Sequence, residues 1–345
     1  MTESSIGIIG IASRLPDSIR TNDDPIFNWL REHHPEGSGL FTGYDRRHVL
    51  AEGQTVLDIL APAARLAIAD ADLDASQIDV LMGCISPNTY FVPPDLFALT
   101  RDLKLGERTL TIPLANDFNN FNVGVTLADA MIRAGRARNI LIAIGGGWTR
   151  AVDYRTPQSV SAADGAAAAV VGMAASGRRP IWRLVDTEVI AQEQNFGDMF
   201  LIGDRRLAPP PEPGIGSASD PDPETQNWTG PYYHVTASGL KHFGAFGGQI
   251  APLAVSRLLQ RQGIAAASVS LTGHQASQTL LDAWRQTLAP GAMFFTLPEF
   301  ANMTVANIPV NLCLMRDKVR TPWVVALGLA GDMHAHAILL RTSEN

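Results

Sequence analysis

Asn139–Trp148 reads N-I-L-I-A-I-G-G-G-W and is followed by A-A-A-A-V-V-G-M at Ala166–Met173, while Pro322–Asp332 reads P-W-V-V-A-L-G-L-A-G-D and is followed by A-I-L-L at Ala337–Leu340. Each pair is a short apolar run ending in glycine and then a second apolar run. Runs this short and this rich in β-branched residues read as strands buried on both faces. The same pattern in both halves of the chain suggests a duplicated unit with pseudo-twofold symmetry.

Outward from these runs, strands are predicted at Ile6–Ile11, Ile78–Cys84, Leu110–Leu114, Asn139–Ile144, Ala166–Met173, Ser268–Thr272, Met293–Thr296, Trp323–Leu329 and Ala335–Leu340. Helical periodicity predicts helices at Val56–Ala71, Phe118–Ala134, Phe246–Gln262, Gln275–Leu288 and Val305–Met315. The order is β-α-β-α-β twice over, an α/β class with parallel strands, divided into an N-terminal half at 1–175 and a C-terminal half at 176–345. Between the halves, 205–231 carries A-P-P-P-E-P-G-I-G-S-A-S-D-P-D-P, which cannot pack a core and reads as a mobile surface loop or lid.

With 345 residues and 46% hydrophobic content, the chain can bury a large core. Its net charge of -7 and 27 scattered basic residues exclude a nucleic-acid surface. The opening M-T-E-S-S-I-G-I-I-G-I has no basic region before a short apolar run, so a cytoplasmic protein without membrane contact is expected. Cys84 and Cys313 sit in apolar stretches without C-x-x-C spacing, which argues against disulfides and zinc and makes Cys313 a packing residue.

Two polar residues stand out against this background: His274 in G-H-Q-A-S and Asn302 in A-N-M-T-V-A-N-I-P. An imidazole and a carboxamide can polarise a thioester carbonyl and stabilise the enolate or oxyanion formed there. The bland alternatives are a core histidine and a turn asparagine.

Taken in order, G-I-I-G-I-A-S-R-L-P-D-S-I-R-T-N, T-G-Y-D-R-R-H-V, L-A-D-A-M-I-R-A-G-R-A-R-N-I-L-I-A-I-G and A-A-D-G-A-A-A-A-V-V resemble segments of the thiolase superfamily, in particular its ketoacyl-ACP synthase III type. The resemblance spans nearly the whole chain. It implies a thiolase fold, duplicated β-α-β-α-β halves in a layered α-β-α-β-α architecture. It also implies His274 and Asn302 as the pair that hydrogen-bonds the thioester carbonyl of a malonyl donor. The family's nucleophilic cysteine would fall within P-L-A-N-D-F-N-N-F, at Asp117, Phe118 or Asn119, and none of these is a thiol. Asp117 is either a relocated nucleophile or base, or a helix N-cap; Phe118 would fill the volume of an acyl-cysteine. Cys84 resembles a pocket-wall position and is the one thiol that could stand in.

Ala330 and Gly331 match the glycine-rich loop that donates an oxyanion N–H in the family. Trp29 resembles the tryptophan that stacks on coenzyme A, and Arg155 stands beside the position of the family's R-G pair, where Thr156 and Pro157 replace it; Thr279 replaces a basic carrier-docking residue. Asp332, His334 and His336 alternate and would share one strand face, as metal ligands or, more plainly, a polar pocket wall; no metal is expected. No cofactor is implied, the substrate being a thioester of acyl carrier protein phosphopantetheine or of coenzyme A. The expected function is an acyltransferase of specialised polyketide or fatty-acid-derived metabolism that decarboxylates or directly transfers without a cysteine acyl-enzyme. The alternative is a catalytically silent subunit. A homodimer, or a heterodimer with a cysteine-bearing homologue, is implied.

Overall fold

The computed structural model describes residues 6–34, 39–202 and 232–343; the segment read as a lid, 205–231, lies outside them. The strands are β1 (Ile6–Arg14), β2 (Ile19–Thr21), β3 (Arg46–His48), β4 (Val80–Ser86), β5 (Leu110–Pro113), β6 (Asn139–Gly147), β7 (Asp164–Met173), β8 (Trp182–Ala191), β9 (Met199–Ile202), β10 (Tyr232–Val235), β11 (Val269–Gly273), β12 (Ala292–Met293), β13 (Trp323–Ala330) and β14 (His334–Thr342). The α-helices are α1 (Asn28–His33), α2 (Val56–Asp70), α3 (Leu96–Asp102), α4 (Asn120–Arg133), α5 (Ala237–Ala245), α6 (Ala251–Gln262), α7 (Gln278–Leu288), α8 (Leu297–Phe300) and α9 (Asn307–Met315).

Ten strands form one sheet in the order β12-β11-β13-β14-β8-β1-β7-β6-β4-β5. Read outward from the centre, β8-β14-β13-β11-β12 repeats β1-β7-β6-β4-β5, so the duplication in the sequence is a duplication of topology. The two halves meet where Ile8 pairs with Trp182. The sheet is mixed rather than parallel throughout: β4 runs parallel to β5 and β6, and β11 to β12 and β13, but β7 and β14 are antiparallel to both neighbours. A short turn joins β13 to β14, and a connection that short permits only an antiparallel partner.

Helices make five layers of this sheet. A capping box at Thr55 and Asp58 starts α2, whose Val56, Ile59, Leu60, Ala63, Ala64, Ala67 and Ile68 are buried at helical spacing. This face lies against β1, β7 and β6, and α6 covers β8 and β14 on the other half. Between the halves, α4 and α9 touch strands of both. Asn122 of α4 donates to the carbonyls of Ala326 (3.0 Å) and His336 (2.7 Å), tying the central layer to the second half.

Several elements differ from expectation, among them short strands and helices between the main ones. The strand expected at Met293–Thr296 is the two-residue β12, and the helix expected from Phe246 begins as a π-turn, Phe246–Ile250. The strand β8 was not expected because charged residues interrupt the apolar positions of R-L-V-D-T-E-V-I; Asp186 and Glu188 there are held by Arg261 of α6 at 2.8 and 2.6 Å. Among the described residues no helix is long and apolar enough to cross a membrane.

Candidate active site

The site forms where β11, the start of α9 and the start of α4 converge. His274 follows the last residue of β11, and its N–H bonds the Leu327 carbonyl of β13 at 2.9 Å, continuing the parallel register. Gly273 makes this possible: a Cβ there would lie 2.2 Å from the Leu327 oxygen. Asn302 is pinned on both sides, its N–H donating to Ser161 O (2.8 Å) and its carbonyl accepting from Ala163 N (3.1 Å). Both residues are buried.

Asn307, the first residue of α9, joins them. Its Nδ2 donates to Asn302 Oδ1 at 2.7 Å and lies 3.2 Å from His274 Nδ1, while its Oδ1 accepts from Met303 N at 2.8 Å. An amide donor at Nδ1 requires that nitrogen to accept, which assigns the ring proton to Nε2. Asn302 Oδ1 also accepts from Thr304 N at 2.9 Å, so Nδ2 is the donor this side chain has left to offer. Burial holds the His274 imidazole down to about 3, opposed in part by a backbone contact with Thr304. At neutral pH the imidazole is neutral, and with its proton on Nε2 the pair offers two N–H groups, His274 Nε2 and Asn302 Nδ2.

The three candidate nucleophile positions separate. Asp117 does not cap α4. It has a left-handed φ of 44°, and its Oδ2 accepts from Gly331 N at 2.7 Å across the site. The turn is held instead by Asn120, whose Oδ1 accepts from Asn116 N and whose Nδ2 donates to Asp117 O, both at 2.7 Å. The left-handed backbone is what frees the carboxyl to reach over the helix start. Phe118 stacks on the His274 ring, with centroids 4.7 Å apart and planes within 2°. Asn119 turns away; its Nδ2 donates to His334 O at 2.9 Å and its Oδ1 lies against Gly328.

Burial raises Asp117 to about 7; the Gly331 and Phe118 N–H groups lower it and the charge of Asp332 raises it further. Gly331 thus supplies a backbone donor, as expected of that loop, and directs it at a carboxyl. Ala330 is the buried last residue of β13. Cys84 adjoins the same corner, but burial and the Asp117 charge push its thiol up to about 12, so it stays protonated and non-nucleophilic.

A cavity of about 30 Å³ opens beside Asp117, lined also by Phe118, Ser86, Trp148, Tyr233 and Thr304. Asn307, Trp148, Tyr233 and Thr304 were not singled out in the sequence. Asn307 alone carried a signal, as a polar residue opening the apolar helix N-I-P-V-N-L-C-L-M. The ligand positions do not join this corner: Trp29 is half-exposed and stacks on His33 at 4.1 Å, and the Arg155 guanidinium is gripped by Asp153, with contacts of 2.9 and 3.2 Å. His334 and His336 share one face of β14; among the described residues no group of three His, Cys, Asp or Glu side chains is placed to hold a metal ion.

The chain resembles known proteins in both sequence and fold. The family of 3-oxoacyl-(acyl-carrier-protein) synthase III matches residues 115–192, the span from the start of α4 to β8. The β-ketoacyl-acyl-carrier-protein synthase III of Brucella suis is 27% identical over 308 residues, 88% of this chain and 88% of the relative. Among solved structures, the 3-oxoacyl-(acyl carrier protein) synthase III of Pseudomonas aeruginosa superposes with a TM-score of 0.79 at 20% identity, covering 99% of each chain. The priming β-ketosynthase of a polyketide biosynthetic pathway superposes with a TM-score of 0.79 at 18% identity, covering 99% of this chain and 97% of its own.

Proposed function

We infer the chemistry of this chain from the premise that it belongs to the thiolase superfamily, as a ketoacyl-ACP synthase III-like member: it decarboxylates a malonyl-type thioester, carried on acyl carrier protein or coenzyme A, without forming an acyl-enzyme. The observation that carries this reading is Asp117, whose carboxyl accepts from the Gly331 N–H at 2.7 Å beside Phe118, within the stretch where the resemblance implies a thiol. With that donor engaged, the thioester carbonyl is left to His274 Nε2–H and Asn302 Nδ2–H. A depressed imidazole is a poor base near neutral pH but a good neutral donor, which favours decarboxylation over direct acyl transfer with His274 as base.

The step balances without a cofactor. The bond between the α-carbon and the carboxylate breaks, carbon dioxide leaves, and the electron pair becomes an enolate on the thioester oxygen held by His274 and Asn302. The Asp117 carboxyl, half protonated near pH 7, gives its proton to the α-carbon and regains one from solvent. The product is the acetyl-type thioester. Incubation with malonyl-pantetheine should release carbon dioxide one for one with acetyl-pantetheine; malonyl-pantetheine that survives unchanged at high protein concentration would sink the reading.

One feature favours a catalytically silent subunit instead. The cavity of about 30 Å³ is far below the roughly 300 Å³ of ordinary ligand sites. Co-purification with a cysteine-bearing homologue, with activity only in the pair, would decide for that role.

A further inference from the structure

Two buried hydrogen-bond donors belong to side chains that line the cavity and are used by nothing described above. Trp148 Nε1 and Tyr233 Oη are each sealed from solvent and have no hydrogen-bond partner among the described residues. Both side chains line the cavity beside Asp117, and their rings meet edge to face with centroids 6.2 Å apart. The Tyr233 hydroxyl lies against Gly331, 2.7 Å from where a Cβ would stand, so glycine there makes room for it. Buried tryptophan and tyrosine almost always satisfy these polar tips, because an orphaned buried donor is costly. Two such donors on side chains lining one small cavity call for an explanation.

We propose that Trp148 Nε1–H and Tyr233 Oη–H bind the β-carboxylate of a malonyl-type thioester. The inference rests on the thioester reading above and assigns its specificity. At about 30 Å³ the cavity matches a small group such as a carboxylate better than an extended alkyl chain. Both donors are neutral, so they orient the carboxylate without the charge pairing that would resist its departure as carbon dioxide. A carboxylate placed here also favours the protonated form of Asp117, keeping the acid loaded until the carboxylate has left.

Binding can be measured without turnover, using amide analogues of malonyl-, 3-oxobutanoyl- and butanoyl-pantetheine in which nitrogen replaces the thioester sulfur. The malonyl analogue should bind the native protein about tenfold or more tighter than the butanoyl one, the equivalent of one good hydrogen bond. Tyr233→Phe, which removes only an oxygen, or Trp148→Phe should erase that preference and leave butanoyl affinity unchanged. Malonyl affinity unchanged in both variants, or equal loss for both analogues, overturns the proposal. A 3-oxobutanoyl analogue bound as tightly as the malonyl one overturns the carboxylate assignment. A malonyl preference with no carbon dioxide release would leave this site standing while the decarboxylase reading fell, and release without any preference would do the reverse.

Discussion

Asp117→Asn is expected to lower the rate of acetyl-thioester formation by a factor on the order of 10²–10⁴, the range for losing a positioned general acid. The asparagine keeps an oxygen for the Gly331 N–H and so preserves the corner, but it has no acidic proton. The native protein should lose activity as pH rises through about 7, because only protonated Asp117 can deliver a proton to the enolate. The variant's residual rate should be flat across that range. Stability gives a second, independent reading. The folded-state pKa is raised above that of the unfolded chain, so the folded state retains a proton that the unfolded state has released, and stability falls with rising pH between about 4 and 7. Asparagine escapes this loss, and urea titration should find the variant more stable by about 2–4 kcal/mol at pH 8 and little changed at pH 3. An unaltered pH–rate profile in the variant would remove Asp117 from the chemistry.

His274→Ala is expected to cost about 10²–10³ in kcat, the loss typical of removing one donor from a developing oxyanion. The effect should fall on kcat more than on KM, since the enolate carries more charge on that oxygen than the ground-state carbonyl does. The depressed imidazole makes a further demand on the native protein. The donor stays neutral down to about pH 3, so no acidic limb should appear between pH 6.5 and 5, where an ordinary histidine would titrate. Stability should nevertheless fall as pH drops through that window, because the unfolded chain takes up a proton that buried His274 refuses. Turnover in the alanine variant equal to the native rate would leave the His274–Asn302 pair as structural polar groups.

Much of the fold is legible in the chain because the duplication writes it twice. The glycine-ended runs at Asn139–Trp148 and Pro322–Asp332 became β6 and β13, and the apolar runs after them became β7 and β14. Strand direction was not legible, since a run buried on both faces looks the same in a parallel or an antiparallel setting. The strand β8 was hidden because its acidic residues are satisfied by Arg261 from α6, a partner far away in sequence.

The site was legible as a list of residues and not as an arrangement. His274 and Asn302 could be named, but the amide that joins them, Asn307, lies in what reads as an apolar helix. The cap reading of Asp117 followed a sound local rule. It failed because a left-handed φ turns the side chain toward Gly331, a contact across 214 positions that no local pattern records. Trp148 and Tyr233 carried no signal, because what distinguishes them is the missing partner and not the residue type.

The central claim, thioester chemistry on the His274–Asn302 pair without a covalent intermediate, is tested most directly by intact-mass measurement during turnover of malonyl-pantetheine. Carbon dioxide and acetyl-pantetheine should accumulate while the protein keeps its unmodified mass at every time point. A protein species heavier by a malonyl or acetyl group, mapping to Cys84 or Asp117 and forming and decaying with turnover, would contradict it.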